Sequence, residues 1–136
     1  MKTVRLLTVL FYFTMPFSLF SKSPLETGAT APVLTVTTHS GEKLDLGKLY
    51  AEGPVLVYFY PKSDTPGCTK QACNIRDNFD ALKSEGIEVI GVSSDSVKAQ
   101  EAFRQKYELP FILVADEDKA LGEAFGVGSH MSLMFK

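Results

Sequence analysis

The sequence has few residues that could bind a metal ion and no concentration of charge of one sign. Its 136 residues include only two cysteines and two histidines. A structural zinc site needs four ligands, and Cys68, Cys73, His39 and His130 are too unevenly spaced to supply them. Fourteen basic and sixteen acidic side chains are scattered along the chain and leave a formal net charge of -2. Without a basic stripe of the kind that binds phosphate backbones, a nucleic acid partner is not expected.

The chain also lacks internal repeats and low-complexity tracts, and its 45% hydrophobic content suits a single globular domain. Its N-terminus differs from the rest, because Lys2 and Arg5 precede an uncharged apolar run from Leu6 to Phe20. This pattern is typical of a secretory signal, although the run is short for a membrane span, which needs about 20 residues. We expect residues 1–23 to be a signal peptide or a membrane anchor, giving an extracytoplasmic or membrane-anchored protein. Translation from Met15 would instead give a cytoplasmic one.

Residues 24–136 form the predicted globular domain, in which strand and helix patterns alternate. Its connections are short, which implies parallel strands with helices covering the sheet, an α/β protein. The continuous apolar run from Val55 to Tyr60 is the predicted centre of the sheet. Strands are predicted at Val33 to Thr38, Val55 to Tyr60, Ile87 to Ser94 and Phe111 to Ala115. Helices are predicted over three apolar groups: Ala72, Ile75, Phe79 and Leu82 up to Gly86; Ala99, Ala102, Phe103 and Tyr107; Leu121, Ala124 and Phe125 up to Gly126.

The stretch YFYPKSDTPGCTKQAC, from Tyr58 to Cys73, contains both cysteines. Cys68 follows Thr-Pro-Gly, the order of an N-cap hydroxyl on Thr65, a proline at the first helical position and then N–H groups without an intrahelical acceptor. Those N–H groups and the positive end of the helix dipole favour an anion, so they stabilise the Cys68 thiolate, which is the nucleophilic form. Lys62 and Lys70 are near enough in sequence to add positive potential, although lysines at such places are more often solvated surface.

Cys73 follows Cys68 by five residues, a net rotation of about 140° on a helix. The two side chains therefore face apart, and their Cα atoms lie beyond the roughly 7 Å limit for a disulfide, so a bond between them requires the first turns to unwind. We expect Cys73 on the polar flank of the helix, partly exposed to a reductant, and Cys68 toward the edge of the core. The structural alternative is a pair of inert buried cysteines. A thioredoxin-type motif has two residues between its cysteines, whereas this pair has four.

These residues resemble the peroxiredoxins, in particular the bacterioferritin comigratory protein, or Q-type, branch. The family signature P-x-x-x-T-x-x-C is present as Pro61, Thr65 and Cys68, and Cys73 matches this branch's common second cysteine on the same helix. The resemblance extends from Leu25 to Val127 and includes the segments APVLTV, VLVYFYPKSDTPGCTKQAC, RDNFDALKSEGIEVIGVSSD and LVADEDKALGEAFGV.

The resemblance implies a thioredoxin-like fold of three layers, with a mostly parallel central sheet flanked by helices. It also implies a peroxidatic Cys68, which attacks a hydroperoxide and becomes a sulfenic acid, and a resolving Cys73, which condenses with it to an intramolecular disulfide. Thr65 would orient the thiolate and the peroxide, and Pro61 would shield the pocket from water. Thioredoxin or a similar reductant would return the disulfide to the dithiol. A monomer without a metal or an organic cofactor is expected.

The sequence departs from the family beyond its FGV segment. The family's catalytic arginine lies on a strand downstream of that segment, followed by a further strand and a helix, whereas no arginine follows Arg104 here. Arg76 is not a substitute, because eight helical residues place it about 12 Å along the axis from Cys68. We expect a domain that is incomplete at its C-terminus, with Val55 to Tyr60 as an exposed apolar edge. Its peroxidase activity would then be weak or lost.

Two other functions are compatible with the sequence. An exported thioredoxin-like protein could bind copper(I) or exchange disulfides through Cys68 and Cys73, with soft ligands added by His130, Met131 and Met134 of the C-terminal tail. The chain could also be an inactive remnant of a peroxidase. Peroxide-dependent loss of both thiols distinguishes the leading hypothesis from copper binding, and cooperative thermal unfolding excludes an unstable remnant.

Overall fold

The computed structural model describes residues 24–127. The predicted signal peptide or anchor and the His/Met tail lie outside these residues. No helix within residues 24–127 is long and apolar enough to cross a membrane. The elements follow one another along the chain as β1 (Thr35–Thr37), β2 (Lys43–Asp45), α1 (Leu46–Glu52), β3 (Val55–Phe59), α2 (Pro66–Asp77), α3 (Phe79–Ser84), β4 (Glu88–Ser93), α4 (Val97–Lys106), β5 (Ile112–Ala115) and α5 (Ala120–Ala124).

The three longer strands form a parallel sheet in the order β3-β4-β5, which confirms the predicted α/β class. In the register of the sheet, Val55 pairs with Glu88 and Ile90 pairs with Ile112. The two short strands β1 and β2 form an antiparallel hairpin, which a single bridge from Thr38 to Val114 connects to β5. The sequence pattern predicted β1, within the strand expected at Val33 to Thr38, but neither β2 nor α1. Helix α1 begins where the Asp45 carboxylate accepts the backbone N–H groups of the helix's first turn.

The prediction that Val55 to Tyr60 is the centre of the sheet is wrong. The middle strand is β4, in which every residue from Val89 to Ser93 is buried. Strand β3 is paired on one side only among the described residues, and its Leu56 is 38% exposed. Helices on both faces of the sheet cover most of the side chains of this apolar run. Its apolar character therefore does not require a strand on both of its edges. The arrangement agrees with the other prediction, that this segment is an apolar edge.

Alternation along the strands divides the core into two layers, one on each face of the sheet. One face carries Tyr58, Tyr60, Val89, Phe111 and Leu113, which pack with residues of α2, α3 and α4. On the opposite face, α1, α5 and β1 cover a second apolar cluster. The molecule therefore has the three layers that were expected, with α2 and both cysteines on the first face. The second cluster consists of Val36, Leu46, Leu49, Ile90, Val92, Val114 and Leu121.

The helix that follows Cys68 is not continuous to Gly86, as the apolar spacing predicted. It ends at Asp77, and a separate short helix, α3, begins at Phe79. The break lies at Asn78, whose side-chain Nδ2 donates to the backbone oxygen of Asn74 at 2.9 Å. An asparagine side chain that bonds to the backbone in this way competes with helix continuation. The predicted apolar positions still face the core on both helices, whereas in α4 the predicted apolar residue Ala102 is exposed.

Candidate functional site

Cys68 lies in the first turn of α2, directly beyond the carboxyl end of β3. Pro66 is the first helical residue, and the first intrahelical bond of this turn runs from the Thr69 N–H to the Thr65 oxygen at 2.8 Å. The N–H groups of Gly67 and Cys68 precede this bond and have no intrahelical acceptor. Cys68 is 8% exposed and belongs to the core cluster beneath the helix. The predicted combination of a buried sulfur and unpaired amides at a helix N-terminus is therefore present.

Thr65 occupies the predicted N-cap position, but its hydroxyl does not cap the helix. With φ -94° and ψ 154°, its backbone has the extended conformation of an N-cap residue. Its Oγ1 instead donates to the backbone oxygen of Lys62 at 3.0 Å. The tight turn that makes this contact possible includes Asp64, whose φ of 59° is left-handed. The hydroxyl's acceptor lone pairs remain available beside the helix N-terminus.

Pro61 follows β3 and ends its pairing with β4. The backbone bond from the Tyr60 N–H to the Val92 oxygen at 3.0 Å directly precedes Pro61, whose ring fixes φ where the chain leaves the sheet. Pro61 is half-buried at the start of the loop that leads to Cys68. Among the described residues, Lys62 and Lys70 are exposed and neither side chain forms an ion pair. The two lysines are therefore solvated surface residues, the more frequent case that was noted from the sequence.

The loop from Pro61 to Thr65 is fixed by Asp95, a residue that the sequence analysis did not identify. Its Oδ2 accepts the Ser63 N–H at 2.7 Å, the Ser63 hydroxyl at 2.6 Å and the Ser93 hydroxyl at 2.8 Å. Asp95 follows β4, and the carboxyl ends of neighbouring parallel strands meet at the same edge of a sheet. The signal was therefore available in SSDS, the segment directly after β4.

Cys73 is half-buried on the same helix, and the structure contains both cysteines as free thiols. The predicted partial exposure of Cys73 is confirmed, and α2 is intact across both cysteines. Arg76 lies nearer to Cys73 than to the N-terminus, and its Nη1 donates to the Tyr107 oxygen at 2.9 Å. The pKa of Arg76 is raised mainly by its hydrogen bond to Asp77, with a smaller effect from Cys73. A permanent positive charge therefore lies near the second cysteine rather than the first.

The aromatic floor beneath α2 was not predicted as part of the site. The rings of Tyr58 and Tyr60 stack with centroids 5.5 Å apart, and both residues share the buried cluster of Cys68. The Tyr60 hydroxyl donates to the buried Oε1 of Gln100. Burial is the largest cause of the raised pKa of each tyrosine, so both phenols stay protonated at neutral pH. The sequence shows the aromatics, but it does not show which hydroxyl finds a partner.

The described residues offer little support for a metal site. Within residues 24–127 no group of three or more His, Cys, Asp or Glu side chains could hold a metal ion. A cavity of about 160 Å³ lies between β1 and α5 and contains neither cysteine. The soft ligands of the copper hypothesis, His130, Met131 and Met134, lie outside the described residues.

Comparison with known proteins identifies the family. Residues 27–134 match the model of the AhpC/TSA family. The chain belongs to this family. It is 50% identical over 103 residues to a putative peroxiredoxin bcp of Coxiella burnetii, covering 76% of this chain and 68% of the relative. It is also 43% identical over 114 residues to the chloroplastic peroxiredoxin Q of Sedum lineare, covering 84% of this chain and 60% of the relative.

Solved peroxiredoxins confirm the thioredoxin-like fold. The chain superposes on the bacterioferritin comigratory protein of Xanthomonas campestris with a TM-score of 0.65 and 35% identity, covering 68% of this chain and 58% of that one. The Q-type resemblance stated from the sequence is thereby confirmed. This member of the AhpC/TSA family spans roughly three fifths to two thirds of the length of these three proteins. The roles of Cys68, Cys73, Thr65 and Pro61 stay predictions.

Proposed function

We propose that the protein is a thiol-dependent peroxidase that reduces hydrogen peroxide and organic hydroperoxides. The observation that supports this most directly is the buried Cys68 sulfur at the start of α2, where two backbone N–H groups have no intrahelical acceptor. Family membership agrees with it. The Xanthomonas campestris relative, whose structure was described for its alkyl peroxide reduction activity, supports organic hydroperoxides as substrates.

In the first step, the Cys68 thiolate attacks the terminal oxygen of the hydroperoxide. The S–O bond forms as the O–O bond breaks, the leaving alkoxide or hydroxide takes a proton, and Cys68 becomes a sulfenic acid. The Thr65 hydroxyl, whose lone pairs are available, would accept a hydrogen bond from the peroxide. Pro61, at the entrance of the loop, would limit the access of water.

In the second step, the Cys73 sulfur attacks the Cys68 sulfur as the S–O bond breaks, and the leaving hydroxide takes the proton of the Cys73 thiol to become water, which produces an intramolecular disulfide. Because α2 is intact in this structure, its first turns must unwind before the two sulfurs can meet. Arg76, beside Cys73, supplies positive charge near the attacking sulfur. Thioredoxin or a similar dithiol then reduces the disulfide by exchange.

The two arginines within residues 24–127 are both engaged away from the start of α2. Arg104 donates from its Nε to the Phe111 oxygen at 3.3 Å. Arg76 is engaged with Asp77 and the end of α4. Among the described residues, the backbone N–H groups of α2 would therefore supply most of the stabilisation of the developing anion. We expect a rate above that of free cysteine.

The test mixes the reduced full-length protein with hydrogen peroxide or cumene hydroperoxide, quenches it at successive times and analyses the thiols by mass spectrometry. We expect a Cys68–Cys73 link at a rate well above that of free cysteine. Cys68→Ser should abolish peroxide consumption, whereas Cys73→Ser should retain the first step and accumulate the sulfenic acid. A rate equal to that of free cysteine would disprove the peroxidase proposal.

We also propose a reducing partner and a cellular location for the protein. A monomer that acts on hydroperoxides and is recycled by a thioredoxin-like reductant fits the proposed chemistry. The apolar N-terminal run supports export or membrane anchoring, which fractionation of cells that express the full chain would test.

A further inference from the structure

The Tyr58 hydroxyl is buried and has no hydrogen-bond partner among the described residues. Tyr58 is 7% exposed, and its neighbour in the stack, Tyr60, has a hydroxyl that is satisfied by Gln100. Buried hydroxyls in proteins nearly always have a partner, so an unpaired one calls for an explanation. The two stacked tyrosines, Tyr58 in β3 and Tyr60 directly after it, therefore differ in whether the hydroxyl has a hydrogen-bond partner, and this difference is open to experiment.

The unpaired hydroxyl lies over β4, on the face of the sheet that packs with α2. On the β4 side it sits directly over Gly91, where an added Cβ would lie 2.7 Å from both the hydroxyl oxygen and the Cζ of Tyr58. Above it, Tyr58 shares its buried cluster with Cys68 and Ala72 of α2. After burial and Tyr60, the charges of Cys68 and Cys73 are the further causes that raise the pKa of Tyr58. The hydroxyl is therefore within electrostatic reach of both sulfurs, in the core layer that α2 covers.

A buried hydroxyl without a partner makes the closed state less stable than it would be with an apolar side chain of the same shape. When the first turns of α2 unwind, water can reach the hydroxyl and restore its hydrogen bonds. The free-energy cost of the unpaired hydroxyl is thus present only while the first turns of α2 are folded. Opening of α2 is the movement that the proposed Cys68–Cys73 disulfide requires, and the inference rests on that part of the proposed function.

We propose that Tyr58 is a positioning residue whose unpaired hydroxyl lowers the free-energy cost of unwinding α2 and so promotes the meeting of Cys68 and Cys73. The hydroxyl does this without contacting either sulfur, because the gain comes from its hydration in the open state. It acts on the resolving step and not on the attack of Cys68 on the peroxide.

The first test compares amide hydrogen exchange of the reduced full-length protein, its Tyr58→Phe variant and its Tyr60→Phe variant. In Tyr58→Phe we expect exchange of the α2 amides to slow by about five- to thirty-fold. In the matched control Tyr60→Phe, a satisfied buried bond is lost and Gln100 is left unpaired, so exchange should become faster. Unchanged or faster exchange in Tyr58→Phe would overturn the proposal. This measurement needs no peroxide and no peroxidase activity.

The second test measures formation of the Cys68–Cys73 disulfide with diamide. This azo oxidant takes two electrons and two protons from the dithiol and becomes a hydrazine, so it replaces the peroxide. Tyr58→Phe should slow the link by a factor similar to that seen in exchange. Equal rates in the two proteins would contradict the link between the hydroxyl and the resolving step. A chain that forms the link with diamide but not with peroxide would disprove the peroxidase proposal and leave this one standing.

Discussion

The buried polar side chains of this protein differ in how many of their hydrogen-bonding atoms have a partner. Gln100 is fully buried, yet its Nε2 donates to the Ser93 hydroxyl and to the Val114 oxygen, each at 2.9 Å, while its Oε1 accepts from Tyr60. This one amide therefore joins α4 to β4, to β5 and to the residue that directly follows β3. Tyr58, which stacks on Tyr60, has no such partner among the described residues. Because an unpaired buried group is costly, the Tyr58 hydroxyl lowers the stability of this layer of the core.

His39 should make stability depend on pH. Its Nδ1 accepts the Leu113 N–H at 3.2 Å, and its pKa is lowered from 6.5 by burial first and then by Arg104. As the pH falls, the unfolded chain therefore takes up a proton on His39 before the folded chain does. The contribution of His39 to the free energy of unfolding is complete above about pH 6.5 and is lost as the pH falls through the lowered pKa. We expect the urea midpoint to decrease below that pH.

The variant His39→Gln isolates this effect, because it removes the ionisable group and leaves the acidic residues unchanged. Its stability should fall less than that of the unmodified protein between pH 7 and the lowered pKa. If the two proteins showed parallel pH profiles, protonation of His39 would not be coupled to unfolding.

At the scale of the elements, the loop between β3 and α2 is held at two consecutive residues, Ser63 and Asp64. Asp64, in the left-handed region, accepts Lys106 Nζ at 2.8 and 2.9 Å and the Tyr107 hydroxyl at 2.6 Å. At the preceding residue, Asp95 accepts both the backbone N–H and the hydroxyl of Ser63. The position of the cysteine helix is thus determined by the ends of α4 and β4. Neither contact could be found from the spacing around the cysteines.

Asp95→Asn should loosen this loop. The substitution keeps an oxygen acceptor but removes the charge that strengthens the three hydrogen bonds, so we expect unfolding to cost about 1–3 kcal/mol less. Amide exchange at residues 61–65 should also increase. Urea unfolding and hydrogen exchange provide the two measurements.

Ser63→Ala is the matched control for this experiment. It removes only the hydroxyl donor and leaves the backbone donor to Asp95, so its effect should be smaller, about 0.5–1.5 kcal/mol. If the two variants were equally stable, the charge of Asp95 would have no particular role in holding the loop.

At the scale of the whole molecule, β3 offers an unpaired apolar edge among the described residues. Strands with such edges are templates for association with other chains. Leu56→Lys should reduce concentration-dependent association several-fold while changing the free energy of unfolding by about 0.5 kcal/mol or less. Sedimentation velocity and light scattering at increasing protein concentration measure this.

Val33→Lys provides the control, because Val33 is 64% exposed but precedes β1 and lies on no sheet edge. Its effect on association should be small. Equal effects of the two substitutions would indicate that general surface hydrophobicity, rather than the β3 edge, governs association.

The sequence predicted individual helices and strands better than it predicted which of them lie side by side. Apolar periodicity located the parallel strands, and Thr-Pro-Gly correctly placed Cys68 in the first turn of a helix. The apolar pattern could not show which of β3 and β4 is the middle strand, because both are apolar and their positions depend on which strands pair beside them. The pattern also wrongly predicted that the Thr65 hydroxyl caps α2. The hydroxyl bonds to the Lys62 oxygen instead, which only the turn at Asp64 brings close. Contacts made across the fold were therefore the ones missed.

A helix that contains both sulfurs cannot remain whole once they are joined. The reduced and the linked forms of this chain would consequently differ in outline as well as in chemistry, in the same dozen residues. A reducing partner could then select its substrate by the loosened segment and ignore molecules that are already reduced. In such a protein, shape would serve as a record of recent exposure to oxidant.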